Sequence, residues 1–260
     1  MTALERALRR DRALVALGLV ALLAPVWFYL VDTSLDMYSA MTGPSAWMMR
    51  ATWNARFAAL VFAMWAVMMA GMMLPSAAPA ILIHARVARS GESPERPVLR
   101  TYLFAAGYLV VWCGFALAAT ALQGALARRA WLTPMMESAT PALSAALLAL
   151  AGLYQGSGAK RACLRHCRGP VAFLAEHWRP GAGGALAMGV RHGLYCVGCC
   201  WALMLLLFAG GVMSLAWIAG LSLFVLFEKL SPFGDAGDRA TGAVLLAAAA
   251  FALVRAAGAG

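Results

Sequence analysis

Seven apolar runs divide the chain, at about 13–31, 57–75, 101–126, 141–158, 185–208, 211–229 and 240–258. Several exceed the roughly 18 residues that mark a membrane-crossing helix. Composition points the same way: 63% of residues are hydrophobic and 12% charged, against about 45–50% and about 25% in a soluble domain. The expected fold is all-α, a polytopic membrane helix bundle of six or seven transmembrane helices making one membrane domain over 1–260. The MTALERALRRDR segment before the first run is not followed by a small-residue cleavage site, so that run reads as a span rather than a removed signal.

The net charge of +10 does not imply nucleic-acid binding, because the basic residues concentrate in short loops between apolar runs. Arg6, Arg9, Arg10 and Arg12 lie at the N-terminus, Arg86, Arg89, Arg96 and Arg100 in the 76–100 loop, and Lys160, Arg161, Arg165, Arg168 and Arg179 in the 159–184 loop. Fewer (Arg50, Arg56, Arg128, Arg129) fall on the opposite side. The bias places the N-terminus in the cytoplasm and, with seven spans, the C-terminus outside. The Ala- and Arg-rich chain reads as a bacterial inner-membrane protein. The 32–56 segment, with Trp47 and Trp53, suits an interfacial helix, and Gly210-Gly211 a tight turn.

Chemistry concentrates in three places. In HGLYCVGCCWALM, His192, Cys196, Cys199 and Cys200 fall at i, i+4, i+7 and i+8, on one face of a helix; the same ladder reaches Met188 and Met204. Thiolate and imidazole in a medium that penalises polar atoms suit Cu(I), with Zn(II) as a second choice. In CLRHC, Cys163, His166 and Cys167 share a face if the segment is helical, with basic neighbours that favour thiolate. In MWAVMMAGMMLP, Met64, Met68 and Met72 form one row, with Met69 and Met73 on the next; thioethers prefer Cu(I). Pro75 is expected to end or kink that helix. Each group also has a packing reading, since cysteine and methionine fill membrane-helix interfaces well.

Other residues carry less. His84 and His177 read as solvated or interfacial, and Glu228 as a partner of Lys229 or Arg191, or as a functional carboxylate. No nucleotide-binding glycine loop and no HExxH occurs, and GAGGAL lacks the context of such a loop.

The strings YQGSGAKRACLRHCRGP (154–170), GALAMGVRHGLYCVGCCWALM (184–204) and FEKL (227–230), with MWAVMMAGMMLPSAAP (64–79), resemble the predicted metal-binding integral membrane protein family, some of whose members are labelled copper chaperones. The likeness covers about residues 57–230. Where that family reads YQLTPLK this chain has Tyr154 to Lys160 without the proline, which loosens the end of the fourth run; the Cys, His, Met and Glu positions are intact. The resemblance implies metal binding.

The resulting expectation is a protein that handles Cu(I) within or across the membrane, without being an enzyme. His192, Cys196, Cys199, Cys200 and Met204 would form the central site. Met68, Met69, Met72 and Met73 would add a thioether site, and Cys163, His166 and Cys167 an entry or exit point. Partners would be the metal ion, membrane lipid and a copper-requiring membrane enzyme or small metal-binding protein. Two alternatives stay open: a thiol–disulfide oxidoreductase using Cys196 and Cys199, and an assembly subunit whose cysteines simply pack.

Overall fold

The computed structural model describes residues 17, 20–21, 23–35, 53–90, 97–133, 136–230 and 234–258, and all regular structure among them is helical. In chain order the helices are α1 (Leu23–Leu35), α2 (Ala55–Ser90), α3 (Pro97–Arg128), α4 (Pro141–Gln155), α5 (Gly158–Arg168) and α6 (Pro170–His177). They continue as α7 (Gly181–Met204), the single turn α8 (Leu207–Gly210), α9 (Leu215–Leu230) and α10 (Gly234–Gly258). Ala55–Arg89, Pro97–Arg128, Gly181–Gly210 and Ala236–Ala257 are long and apolar enough to cross a membrane; α4 and α5, bent by 67° at their junction, make a fifth if taken together. The described part of α1 falls on the first apolar run, and α9, with 16 residues, on the sixth. Large apolar side chains such as Val110, Leu117, Leu153, Leu223, Phe251 and Val254 face outward on four helices, the surface a lipid environment requires.

Several elements differ from the sequence expectation. The second run does not stop at Pro75: α2 continues through Pro75 and Pro79 to Ser90. Proline at 75 supplies no N–H to the carbonyl of Gly71, and the indole of Trp27 on α1 donates to that oxygen at 3.3 Å instead. The fourth run ends at Gln155, where the helix breaks and Ser157 starts α5 by accepting from the Lys160 N–H at 3.1 Å. The basic 159–184 stretch, expected as a loop, is therefore mostly helical, α6 beginning at Pro170, a favoured first position. Of the 32–56 segment, 36–52 lie outside the described residues; Trp53 covers Gly124 on α3 and meets Phe57 edge-on at 5.1 Å. The turn at Gly211 is as expected, with φ +94, a value few other residues adopt.

Helices α3 and α7 are the most extensively packed pair, and glycine makes that possible. A Cβ on Gly107 would strike the Leu186 carbonyl of α7, and one on Gly189 would strike the Phe104 carbonyl of α3. Such backbone-to-backbone approach is how membrane helices gain packing energy when no hydrophobic effect separates them. Gly152 and Gly242 do the same between α4 and α10. Helix α2 lies against α3, joined by a buried hydrogen bond from Trp65 Nε1 to Gln123 Oε1 at 2.7 Å. The crossing of α3 and α7 brings Tyr108 to Cys196.

Gly189→Ala should destabilise the bundle by about 1–3 kcal/mol, the usual cost of overpacking a tight interface. Gly114→Ala, on the same α3 but with nothing within 4 Å of its added methyl, should be neutral or slightly stabilising. Unfolding of the two variants by titrated denaturing detergent measures the difference.

Candidate metal centre

The ladder on α7 turns inward along its whole length: Met188, His192, Cys196, Cys199, Cys200 and Met204 are all buried. The Sγ atoms of Cys196, Cys199 and Cys200 lie within 4.8 Å of one another and form the one group of three such ligands among the described residues. Two of the thiols fold back along their own helix. Cys199 and Cys200 each point to the Cys196 carbonyl, at 3.1 and 3.0 Å. His192, one turn earlier, stands outside the trio among aromatic rings, with Phe173 at 5.0 Å and Phe104 and Tyr108 at 5.9 Å. Its Nδ1 is buried without a hydrogen-bond partner.

Cys196 is held from two helices whose contacts meet again on a third. Lys229 Nζ of α9 donates to its sulfur at 3.0 Å and to Ser76 Oγ of α2 at 2.7 Å. Ser76 donates to the Met73 carbonyl at 2.8 Å, and Tyr108 of α3 donates to the same oxygen at 3.0 Å. The Tyr108 hydroxyl also lies 3.1 Å from Cys196 Sγ. These contacts close a ring: Lys229, Ser76, Met73, Tyr108, Cys196 and back to Lys229. A thiol at Cys196 completes it by donating to the Tyr108 oxygen. A thiolate instead takes the single Tyr108 hydrogen bond away from the Met73 carbonyl and opens the ring there, with the Lys229 ammonium balancing its charge. Among the described residues Lys229 has no carboxylate partner, so the sulfur is the only anion this buried ammonium can pair with there.

The second thiol pair packs against the first. Cys167 Sγ lies 3.9 Å from Cys199 Sγ. Cys163 reaches α7 at Gly198, where an added Cβ would lie 2.6 Å from its sulfur. Tyr154 donates to the Gly198 carbonyl on the same face. His166 leaves the sulfurs: its ring stacks on Tyr195 at 4.0 Å, with Nδ1 donating to the Ala162 carbonyl at 3.0 Å. The four methionines Met68, Met69, Met72 and Met73 are buried in the same core cluster as the thiols, and Met73 joins the ring through its carbonyl. Cys113 is exposed on α3, away from the site.

Three residues depart from their sequence reading. His84, expected to be solvated or interfacial, is buried and stacked on Phe104 at 4.8 Å. Glu228 pairs with neither Lys229 nor Arg191. It binds Lys160 Nζ through both oxygens at 2.7 Å and accepts from Gln155 Nε2 at 2.7 Å. Lys160 is accordingly buried rather than a solvated loop cation, and Arg168 is tied to the Glu228 carbonyl and to Asp238. The cation next to the central thiols is Lys229, which the sequence presents only as a neighbour of Glu228. A consecutive Glu-Lys at the end of an apolar run was its signal.

The Lys160–Glu228 pair anchors the end of α9 and so sets where Lys229 points. Glu228→Leu alone should cost about 3–5 kcal/mol, because it leaves an ammonium buried without its anion. Lys160→Met with Glu228→Leu should recover most of that loss. A double-mutant cycle on detergent unfolding reads the coupling.

The PpoB2 family model, described as a copper chaperone, matches residues 62–252. Comparison with curated proteins and with solved structures yields no match. The matched residues take in the methionine rows of α2, both thiol groups, and the Glu228-Lys229 pair that orders them. With most of its length matched, the chain belongs to the PpoB2 copper chaperone family.

Proposed function

We propose that the protein is a copper chaperone embedded in the bacterial inner membrane, holding Cu(I) at Cys196, Cys199 and Cys200, two of them as thiolates. The observation that carries this reading is the buried thiol trio within 4.8 Å beside a single ammonium. Three metal–sulfur bonds of about 2.3 Å place the sulfurs about 4.0 Å apart in a trigonal site, so a trio within 4.8 Å needs to draw together by less than about 1 Å. Charge balance is compatible with the same ion. Two thiolates and Cu(I) leave one negative charge, which Lys229 cancels; an unbalanced charge would be costly at this depth. Zn(II) on three thiolates balances equally, but the thioethers of Met68, Met69, Met72, Met73 and Met204 suit Cu(I) and bind harder ions poorly.

The remaining sites order themselves around this centre. Cys163 and Cys167, on α5, serve as the entry or exit point, on the cytoplasmic side if the loop charges orient the chain with its N-terminus inside. Cu(I) passes between Cys167 and Cys199 by exchange of sulfur ligands and never crosses lipid as a bare charge. His192 and Met204 extend the path along α7. The recipient is a copper-requiring membrane enzyme or a small metal-binding protein. The 3.9 Å contact of Cys167 with Cys199 also favours a second reading, thiol–disulfide exchange. That reading requires a disulfide that cycles with reductant.

Protein purified without oxygen and titrated with Cu(I) against a chromophoric Cu(I) chelator should retain stoichiometric metal. The Cys196→Ala, Cys200→Ala double variant should lose it. Absence of metal above background in the parent protein would overturn the proposal, and a reversible disulfide found by thiol mapping in metal-free protein would favour the second reading.

A further inference from the structure

The geometry points to a second metal site, a two-histidine Cu(I) site formed by His166 of α5 and His177 of α6, at the edge of the thiol centre. The two rings stand with centroids 6.1 Å apart at 63°. An ion bonded at about 2.0–2.1 Å to one nitrogen of each ring sits about 3.2 Å from each ring centre, so two imidazoles sharing an ion lie up to about 6.4 Å apart. The observed separation is inside that reach.

Both rings are prepared alike. His166 Nδ1 lies 3.0 Å from the Ala162 carbonyl and His177 Nδ1 lies 3.0 Å from the Phe173 carbonyl, each four residues back on its own helix. A carbonyl oxygen can only accept, so each Nδ1 carries the proton and the neutral ring keeps its lone pair on Nε2. A backbone carbonyl fixing the far nitrogen is the usual support of a metal-binding imidazole. Stacking fixes the ring planes as well: His166 on Tyr195 at 4.0 Å and 1°, His177 on Phe173 at 5.0 Å and 24°. A groove of about 340 Å³, lined by Arg165, His166, Gly169, Ala172, Phe173 and Glu176, opens beside His166, so an ion can arrive from outside.

The position gives the site a role, which rests on the chaperone reading although the binding itself does not. His166 immediately precedes Cys167, the thiol 3.9 Å from Cys199, and Tyr195 immediately precedes Cys196. Imidazole binds Cu(I) and gives it up to thiolate, the softer ligand. The histidine pair therefore receives the ion and the sulfurs draw it inward.

The test uses the full-length protein with ¹⁵N-labelled histidine, titrated without oxygen with Ag(I), a redox-inert stand-in for Cu(I). Beyond the thiol-bound metal, a further equivalent should shift the Nε2 resonances of His166 and His177. His166→Phe and His177→Phe, which preserve stacking, should each abolish the shift and that equivalent while leaving the thiol-bound metal in place. His166→Gln and His177→Gln should do the same, which guards against a fold defect peculiar to the aromatic variants. Cys196→Ala with Cys199→Ala and Cys200→Ala should lose the thiol-bound metal and keep the histidine shifts, so the two sites fail separately. If excess Ag(I) leaves the Nε2 of His166 and His177 unmoved in the parent protein, the pair is aromatic packing and the inference is overturned.

Discussion

A buried ammonium must be given an anion or a full set of acceptors, and Lys229 meets that demand only where α2, α3, α7 and α9 converge. It donates to Ser76 and to Cys196, and both routes close on the Met73 carbonyl, the second through Tyr108. A closed circuit of this kind rewards one arrangement of the four helices, because displacing any member strands a polar group away from water. The adjacent Glu228 is bound to Lys160 on α5. Two consecutive residues at the end of one helix thus tie together both halves of the site: the thiol ladder of α7 and the α5 helix carrying Cys163 and Cys167.

The parts of this arrangement that are periodic were legible in the sequence. The i, i+4, i+7, i+8 spacing of His192, Cys196, Cys199 and Cys200 predicts a common face, and that face is buried. The methionines of α2 were equally visible as rows. What stayed hidden was contact between distant segments. Pro75 reads as a helix end, because the indole that relieves the Gly71 carbonyl lies 44 residues earlier in the chain. Lys160 reads as a solvated loop cation, because its carboxylate is 68 residues away. His166 shares a helical face with Cys163 and Cys167, yet its ring is drawn to Tyr195 on another helix. Helical spacing specifies direction around an axis; it carries no information about which neighbour waits there.

The glycines have a comparable status. Gly107 and Gly189 could be seen as small residues in apolar runs, but the meaning of each is its opposite number: the α3 and α7 backbones touch there. That contact sets the height at which Tyr108 meets Cys196. Packing and chemistry are in this sense one construction, with small residues bringing helices close enough for a tyrosine, a lysine and three thiols to share a dry site. A soft ion exchanged among such ligands needs no nucleotide and no large motion, only a sequence of sulfur neighbours.

The central claim is that the first metal ion is held by sulfur at the α7 thiols, with Lys229 as its counter-charge. X-ray absorption spectroscopy on protein loaded with a single equivalent of Cu(I) tests this most directly. The expected first shell is sulfur alone, unchanged in His166→Phe and lost in the Cys196→Ala, Cys200→Ala variant. A first shell dominated by nitrogen or oxygen would contradict it.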